Sequence, residues 1–68
     1  MKEVFNLKNL EFKIARIKKG LTQEELSKTV GLSKQYISRM EMGKAKNPSL
    51  KICRMISQIL DVDLDEIF

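Results

Sequence analysis

The spacing of apolar residues divides the chain into short helical patterns, and the sharpest occupy residues 22–42, T-Q-E-E-L-S-K-T-V-G-L-S-K-Q-Y-I-S-R-M-E-M. Leu26 and Val30 fall four apart on one face of the first pattern. In the second, Ile37, Met40 and Glu41 share one face while Lys34, Gln35, Ser38 and Arg39 share the other. Each pattern opens on a hydroxyl residue. Thr22 and Glu25 form the T-x-x-E of a capping box, and Ser33 can accept from the free amides of the helix that follows it. Only Val30-Gly31-Leu32 lies between the two, and glycine tolerates the left-handed conformation that ends one helix and turns into another. The pattern predicts helices over residues 23–30 and 34–41 joined by a tight turn, a helix-turn-helix.

Weaker patterns flank this unit. Residues 1–6 read as a short arm or the fraying start of the first helix, with Phe5 as an anchor on the core, and residues 7–19 as a first helix closed by Lys18-Lys19-Gly20. Its apolar residues Leu10, Phe12, Ile14, Ala15 and Ile17 cover more than one narrow stripe, which predicts packing on two neighbours. Gly43-Lys44-Ala45-Lys46-Asn47-Pro48 is a loop, and Ser49 caps a helix over residues 50–60. There Leu50, Cys53, Ile56 and Leu60 form one stripe, and Ile52, Met55 and Ile59 an adjoining one. Asp63 and Glu66 suggest a second capping box, opening a helical turn over residues 64–68 with Val62, Leu64, Ile67 and Phe68 as anchors. The expected fold is all-α, a compact bundle of four to five short helices forming a single domain over residues 1–68.

With 68 residues, the chain is short for covering both apolar stripes of the fourth helix. Ile52, Met55, Ile59, Leu64 and Phe68 are therefore a candidate homodimer seam. The alternative is an intramolecular core under the C-terminus.

Charge adds a direction. The net charge is +4, but residues 1–48 hold eleven Lys/Arg against five Asp/Glu, whereas residues 49–68 hold two against four. Positive charge is concentrated in the part that contains the helix-turn-helix, as a phosphate-binding surface requires, although solubility alone would also use lysines. One cysteine and no histidine exclude, within one chain, a disulfide framework, a conventional zinc site and a Cys-His nucleophile. Glu24 and Glu25 open a helix where the dipole favours them, and Asp61, Asp63, Asp65 and Glu66 gather at another helix start, so no catalytic carboxylate pair stands out. No enzyme activity and no cofactor are expected. No stretch is long enough to span a membrane and the N-terminus has no apolar signal core, so a cytoplasmic protein is expected.

Taken together, Arg16, Gly20-Leu21-Thr22-Gln23, Leu26, Gly31-Leu32-Ser33, Ile37, Glu41, Gly43 and Pro48-Ser49-Leu50 resemble the DNA-binding domain of phage repressors and Cro, the XRE-type helix-turn-helix group. With the D-V-D-L-D-E-I-F ending, the resemblance covers nearly the whole chain. It implies a lambda-repressor-like bundle, double-stranded DNA as partner and a role in transcription, most simply as a dimeric repressor on an inverted-repeat operator. Carried over residue by residue, it makes Lys34, Gln35, Ser38 and Arg39 the base-reading residues of a recognition helix. Their spacing agrees, since Lys34 with Ser38 and Gln35 with Arg39 are each four apart. It makes Gln23, Ser33, Tyr36, Lys44, Lys46 and Asn47 the phosphate contacts, with Tyr36 alternatively packing into the core. It pairs Arg16 with Glu41. Met42 departs from the family, which more often has asparagine there, and this leaves one polar contact to the DNA backbone open. No small-molecule ligand is implied. A protein-interaction module on the same fold, such as an antitoxin, is the rival reading.

Overall fold

Helices α1 (Leu7–Lys18), α2 (Gln23–Val30), α3 (Lys34–Glu41), α4 (Leu50–Leu60) and α5 (Leu64–Ile67) follow one another along the chain. They come from a computed structural model that describes residues 7–45 and 48–68. The expected arm with Phe5, and the loop residues Lys46 and Asn47, lie outside the described residues. Relative to the sequence pattern, the first and last helices each stop one residue earlier, at Lys18 and Ile67.

Local chemistry explains the boundaries of the central pair. Thr22 Oγ1 accepts from the Glu25 amide at 3.0 Å while Glu25 Oε1 accepts from the Thr22 amide at 2.8 Å, a complete capping box. Gly31 ends α2 at φ 76°. The amides of Gly31 and Leu32 both return to the Ser27 carbonyl, which satisfies the last turn. Ser33 Oγ then accepts from the Tyr36 amide at 3.0 Å and starts α3.

Every helix contributes to one core: Phe12 and Ala15 from α1, Leu26 and Val30 from α2, Ile37 and Met40 from α3, Cys53, Ile56 and Leu60 from α4, and Ile67 from α5. Among the described residues, Phe12, Leu26, Ile37 and Ile56 are the largest side chains withdrawn almost completely from solvent. Each such burial contributes about 1.5–3 kcal/mol relative to an exposed side chain.

Three expectations are corrected. Helix α1 does pack on two neighbours, α3 and α5, but with only part of its apolar surface: Phe12 and Ala15 are buried beside Arg16, and Ile14 is half-buried. Leu10 and Ile17, at 45% and 56% exposed, look outward. On α4, Leu50 does not join the inward stripe and is 55% exposed, while Ser57 is buried in its stead. Ser57 can enter because it is small and its hydroxyl donates to the Arg54 carbonyl at 2.9 Å, so no polar atom is stranded. Ser27 on α2 does the same toward Glu24 at 2.7 Å. Asp63 stands at the N-cap of α5 without a side-chain cap bond, so the second capping box does not form. That start is closed by the Glu66 amide on the Asp63 carbonyl at 3.0 Å.

Helix α4 ends on Asp61 at φ 58°, a left-handed position that aspartate tolerates better than most residues. The chain then folds α5 back against α1, with Ile67 buried and Phe68 edge-on to Phe12 at a ring separation of 5.7 Å. Of the candidate seam residues, Ile52, Met55, Ile59 and Phe68 pack partly against the core, and Leu64 is half-buried. Phe68 in particular is engaged within its own chain.

Candidate nucleic-acid interface

The angle of α3 is set by a polar cluster behind it. Arg16 is only 8% exposed, and its Nε and Nη2 donate to the two carboxylate oxygens of Glu41. Its Nη1 donates to the Leu21 carbonyl at 2.7 Å, while the Leu21 amide donates back to the Arg16 carbonyl. Gln23 Nε2 completes the group, donating to Glu41 Oε1 at 3.1 Å. One guanidinium thus ties α1 to the peptide before α2 and to the last residue of α3, and the first residue of α2 joins the same carboxylate. Among the described residues, no buried side-chain nitrogen or oxygen lacks a partner. A satisfied buried ion pair adds little net stability over an apolar pair, but it penalises any rotation of α3 that would strand a charge.

The opposite side of α3 has the reverse character. Lys34, Gln35 and Arg39 are exposed and Ser38 is half-exposed, and among the described residues none of their side chains makes an intramolecular hydrogen bond or ion pair. The face therefore offers two cationic donors, an amide and a hydroxyl. Arginine or lysine suits the O6/N7 edge of guanine, and glutamine can give and take at the N6/N7 edge of adenine.

The end of α3 is held as firmly as its start. The Met42 amide reaches the Ser38 carbonyl at 3.1 Å and the Lys44 amide reaches the Arg39 carbonyl at 2.8 Å, across Gly43 at φ 74°. A Cβ on Gly43 would lie 2.0 Å from Asn9 Nδ2, so glycine serves both the backbone conformation and the approach of α1.

The sequence matches the family described as helix-turn-helix over residues 12–67. The chain belongs to the XRE-type helix-turn-helix family of DNA-binding transcriptional regulators. It is similar to SlrR of Bacillus subtilis, named an HTH-type transcriptional regulator, with 36% identity over 56 residues, 82% of this chain and 37% of SlrR. An Archaeoglobus fulgidus protein named an uncharacterized HTH-type transcriptional regulator is 40% identical over 53 residues, covering 78% of this chain and 74% of that protein. A third regulator so named, from Methanocaldococcus jannaschii, is 40% identical over 58 residues, 85% of this chain and 86% of its own. The chain thus spans little more than a third of SlrR but most of the archaeal relatives. No solved structure matches the chain significantly.

Within this family frame, the other candidate residues divide. Lys44 is exposed and lines a shallow groove with Tyr36, Arg39, Met42 and Ala45 at the end of α3. Ser33 is exposed, and its oxygen is used as the cap, which leaves the hydroxyl hydrogen for an outside acceptor. Tyr36 is half-buried and packs partly against the core. Gln23 is also half-buried, with its amide turned to Glu41. Lys46 and Asn47 are not among the described residues.

Sequence reasoning missed the Gln23–Glu41 bond and the use of the Leu21 carbonyl, because neither pair is marked by spacing along one helix. Cys53 is buried, its Sγ 4.0 Å from the Pro48 carbonyl. Burial pushes its thiol above the usual range against an opposing backbone hydrogen bond, which suits packing rather than reactivity. Among the described residues no cluster of three metal-ligating side chains occurs, and no helix is long and apolar enough to cross a membrane.

Proposed function

We propose that this chain is a sequence-specific double-stranded DNA-binding regulator that lays α3 in the major groove, in the cytoplasm, as a dimeric repressor occluding a promoter. One observation carries the reading: four donor-bearing side chains, without an intramolecular hydrogen bond or ion pair among the described residues, stand on the face of α3 opposite Ile37 and Met40. Lys34, Gln35, Ser38 and Arg39 read base edges; Ser33, Lys44, Lys46 and Asn47 hold phosphates, with Tyr36 and the remaining hydrogen of the Gln23 amide as secondary contacts. A second copy packs along the half-buried stripe of Ile52, Met55, Ile59 and Leu64, with Phe68 at its margin. Two reading helices about 34 Å apart then call for an inverted repeat with half-sites one helical turn apart.

Selection of bound duplexes from random DNA, followed by salt titration on the winner, tests the reading. Arg39→Ala costs about 1–3 kcal/mol and relaxes preference at one base pair, whereas Lys44→Ala weakens all sequences and flattens the salt slope by about one unit. Identical behaviour of the two variants on selected and random DNA would refute the division of roles. Sedimentation that finds only monomer at micromolar concentration counts against the seam.

The protein-interaction alternative, an antitoxin or adaptor, is favoured by the outward Leu10 and Ile17 on α1, which DNA binding does not use.

A further inference from the structure

We infer that Met42 extends the reading face of α3 and packs on the C5-methyl of a thymine, an inference that rests on the DNA-binding reading above. Met42 is 54% exposed at the end of a helix whose other apolar residues, Ile37 and Met40, are buried. Its amide bonds to the Ser38 carbonyl, so its backbone continues the helical register one turn past Ser38. It lies seven residues after Gln35, close to two full turns, and therefore on the same stripe as the proposed base-reading residues. That stripe runs about 10 Å along the helix axis, roughly three base-pair steps at about 3.4 Å each.

The surroundings of Met42 select the occupant. Tyr36 and Ala45 line the same groove, and Arg39 and Lys44 stand at it as unpaired cations among the described residues. The cations draw in a polyanion, while the methionine offers it no hydrogen bond. In the major groove the thymine methyl is the apolar group that a base edge presents. A flexible, polarizable thioether side chain adapts to such a contact. Met42 is thus a specificity-determining residue: it favours A·T at the end of the half-site by packing, where its neighbours read by hydrogen bonding.

The test uses the full chain and the duplex selected from random DNA. Each thymine is replaced singly by deoxyuridine, which keeps base pairing and removes only the methyl. One position per half-site should lose about three- to fivefold in affinity, as expected for one buried methyl-sized group. Met42→Ala should melt at the same temperature as the parent, bind the thymine site more weakly by a similar factor, and no longer distinguish thymine from deoxyuridine there. Met42→Leu should keep the distinction.

The inference is overturned if no thymine is sensitive, or if Met42→Ala still discriminates. It is also overturned if Met42→Ala weakens all sequences alike, which would mark a contact to deoxyribose. A sequence preference that persists with Met42 silent removes this inference alone. Absence of any preferred duplex, with Arg39→Ala equally silent, removes the DNA-binding reading as well.

Discussion

The stretch from Gly20 to Lys44 and the stretch from Leu60 to Phe68 are stabilised by different means. In the first, each boundary has a hydrogen-bonded device: a complete capping box at Thr22, left-handed glycines at positions 20, 31 and 43, and a serine cap at Ser33. The buried Arg16–Glu41–Gln23 cluster then fixes the elements against one another. In the second, the left-handed position is filled by Asp61, Asp63 caps nothing with its side chain, and α5 has four residues. That end has backbone closure, with the Val62 amide on the Ser57 carbonyl at 3.1 Å and the Glu66 amide on the Asp63 carbonyl at 3.0 Å, and an exposed bond from Lys8 Nζ to the Phe68 carbonyl at 3.2 Å, but no side-chain cap. Its tertiary hold is mainly apolar: Ile67 is buried and Phe68 rests edge-on against Phe12. The difference follows from what each stretch does. A surface that must meet a rigid partner at one angle needs directional constraints, whereas a segment that closes a core needs only to exclude water.

Breaking the directional side should have the largest effect. Glu41→Ala leaves Arg16 buried without its carboxylate and should cost about 3–5 kcal/mol in urea unfolding. The double change Arg16→Met with Glu41→Leu should cost clearly less, because neither charge is then stranded; equal losses would mean that direct bonding, not desolvation, dominates the pair.

Next comes the apolar side. Ile67→Ala should cost about 2–4 kcal/mol, with little change in DNA affinity for the fraction that remains folded. A loss well below 1 kcal/mol would show that α5 is not part of the cooperative unit.

The caps give a finer contrast. Thr22→Ala and Ser33→Ala should each cost about 1 kcal/mol, and Asp63→Ala no more than about 0.3 kcal/mol, since its side chain makes no cap bond. Comparable losses at all three sites would erase the distinction between the two stretches. The smallest effect belongs to Lys28→Ala, which removes an exposed pair with Glu24 at 3.8 Å and should change stability by less than about 0.5 kcal/mol.

Capping is local chemistry, so the boundaries of α2 and α3 could be read from Thr22, Glu25, Gly31 and Ser33 without any knowledge of the rest of the chain. The two characters of α3 were equally legible, because a period of 3.6 residues fixes which side chains share a face. Periodicity does not say which side a neighbour will cover. Helix α1 had apolar residues on several sides, and only its packing on α3 and α5 decided that Phe12 and Ala15 go in while Leu10 and Ile17 stay out. The exchange of Leu50 for Ser57 on α4 has the same cause, since accommodation depends on the shape of the opposing surface and on whether a small hydroxyl can find a nearby carbonyl. Arg16 and Glu41, 25 residues apart, were linked in advance only by resemblance to a family. That Gln23 would turn inward to the same carboxylate, and Met42 outward beside Arg39, was decided by the folded arrangement, where three helices and a loop compete for a few ångströms of space.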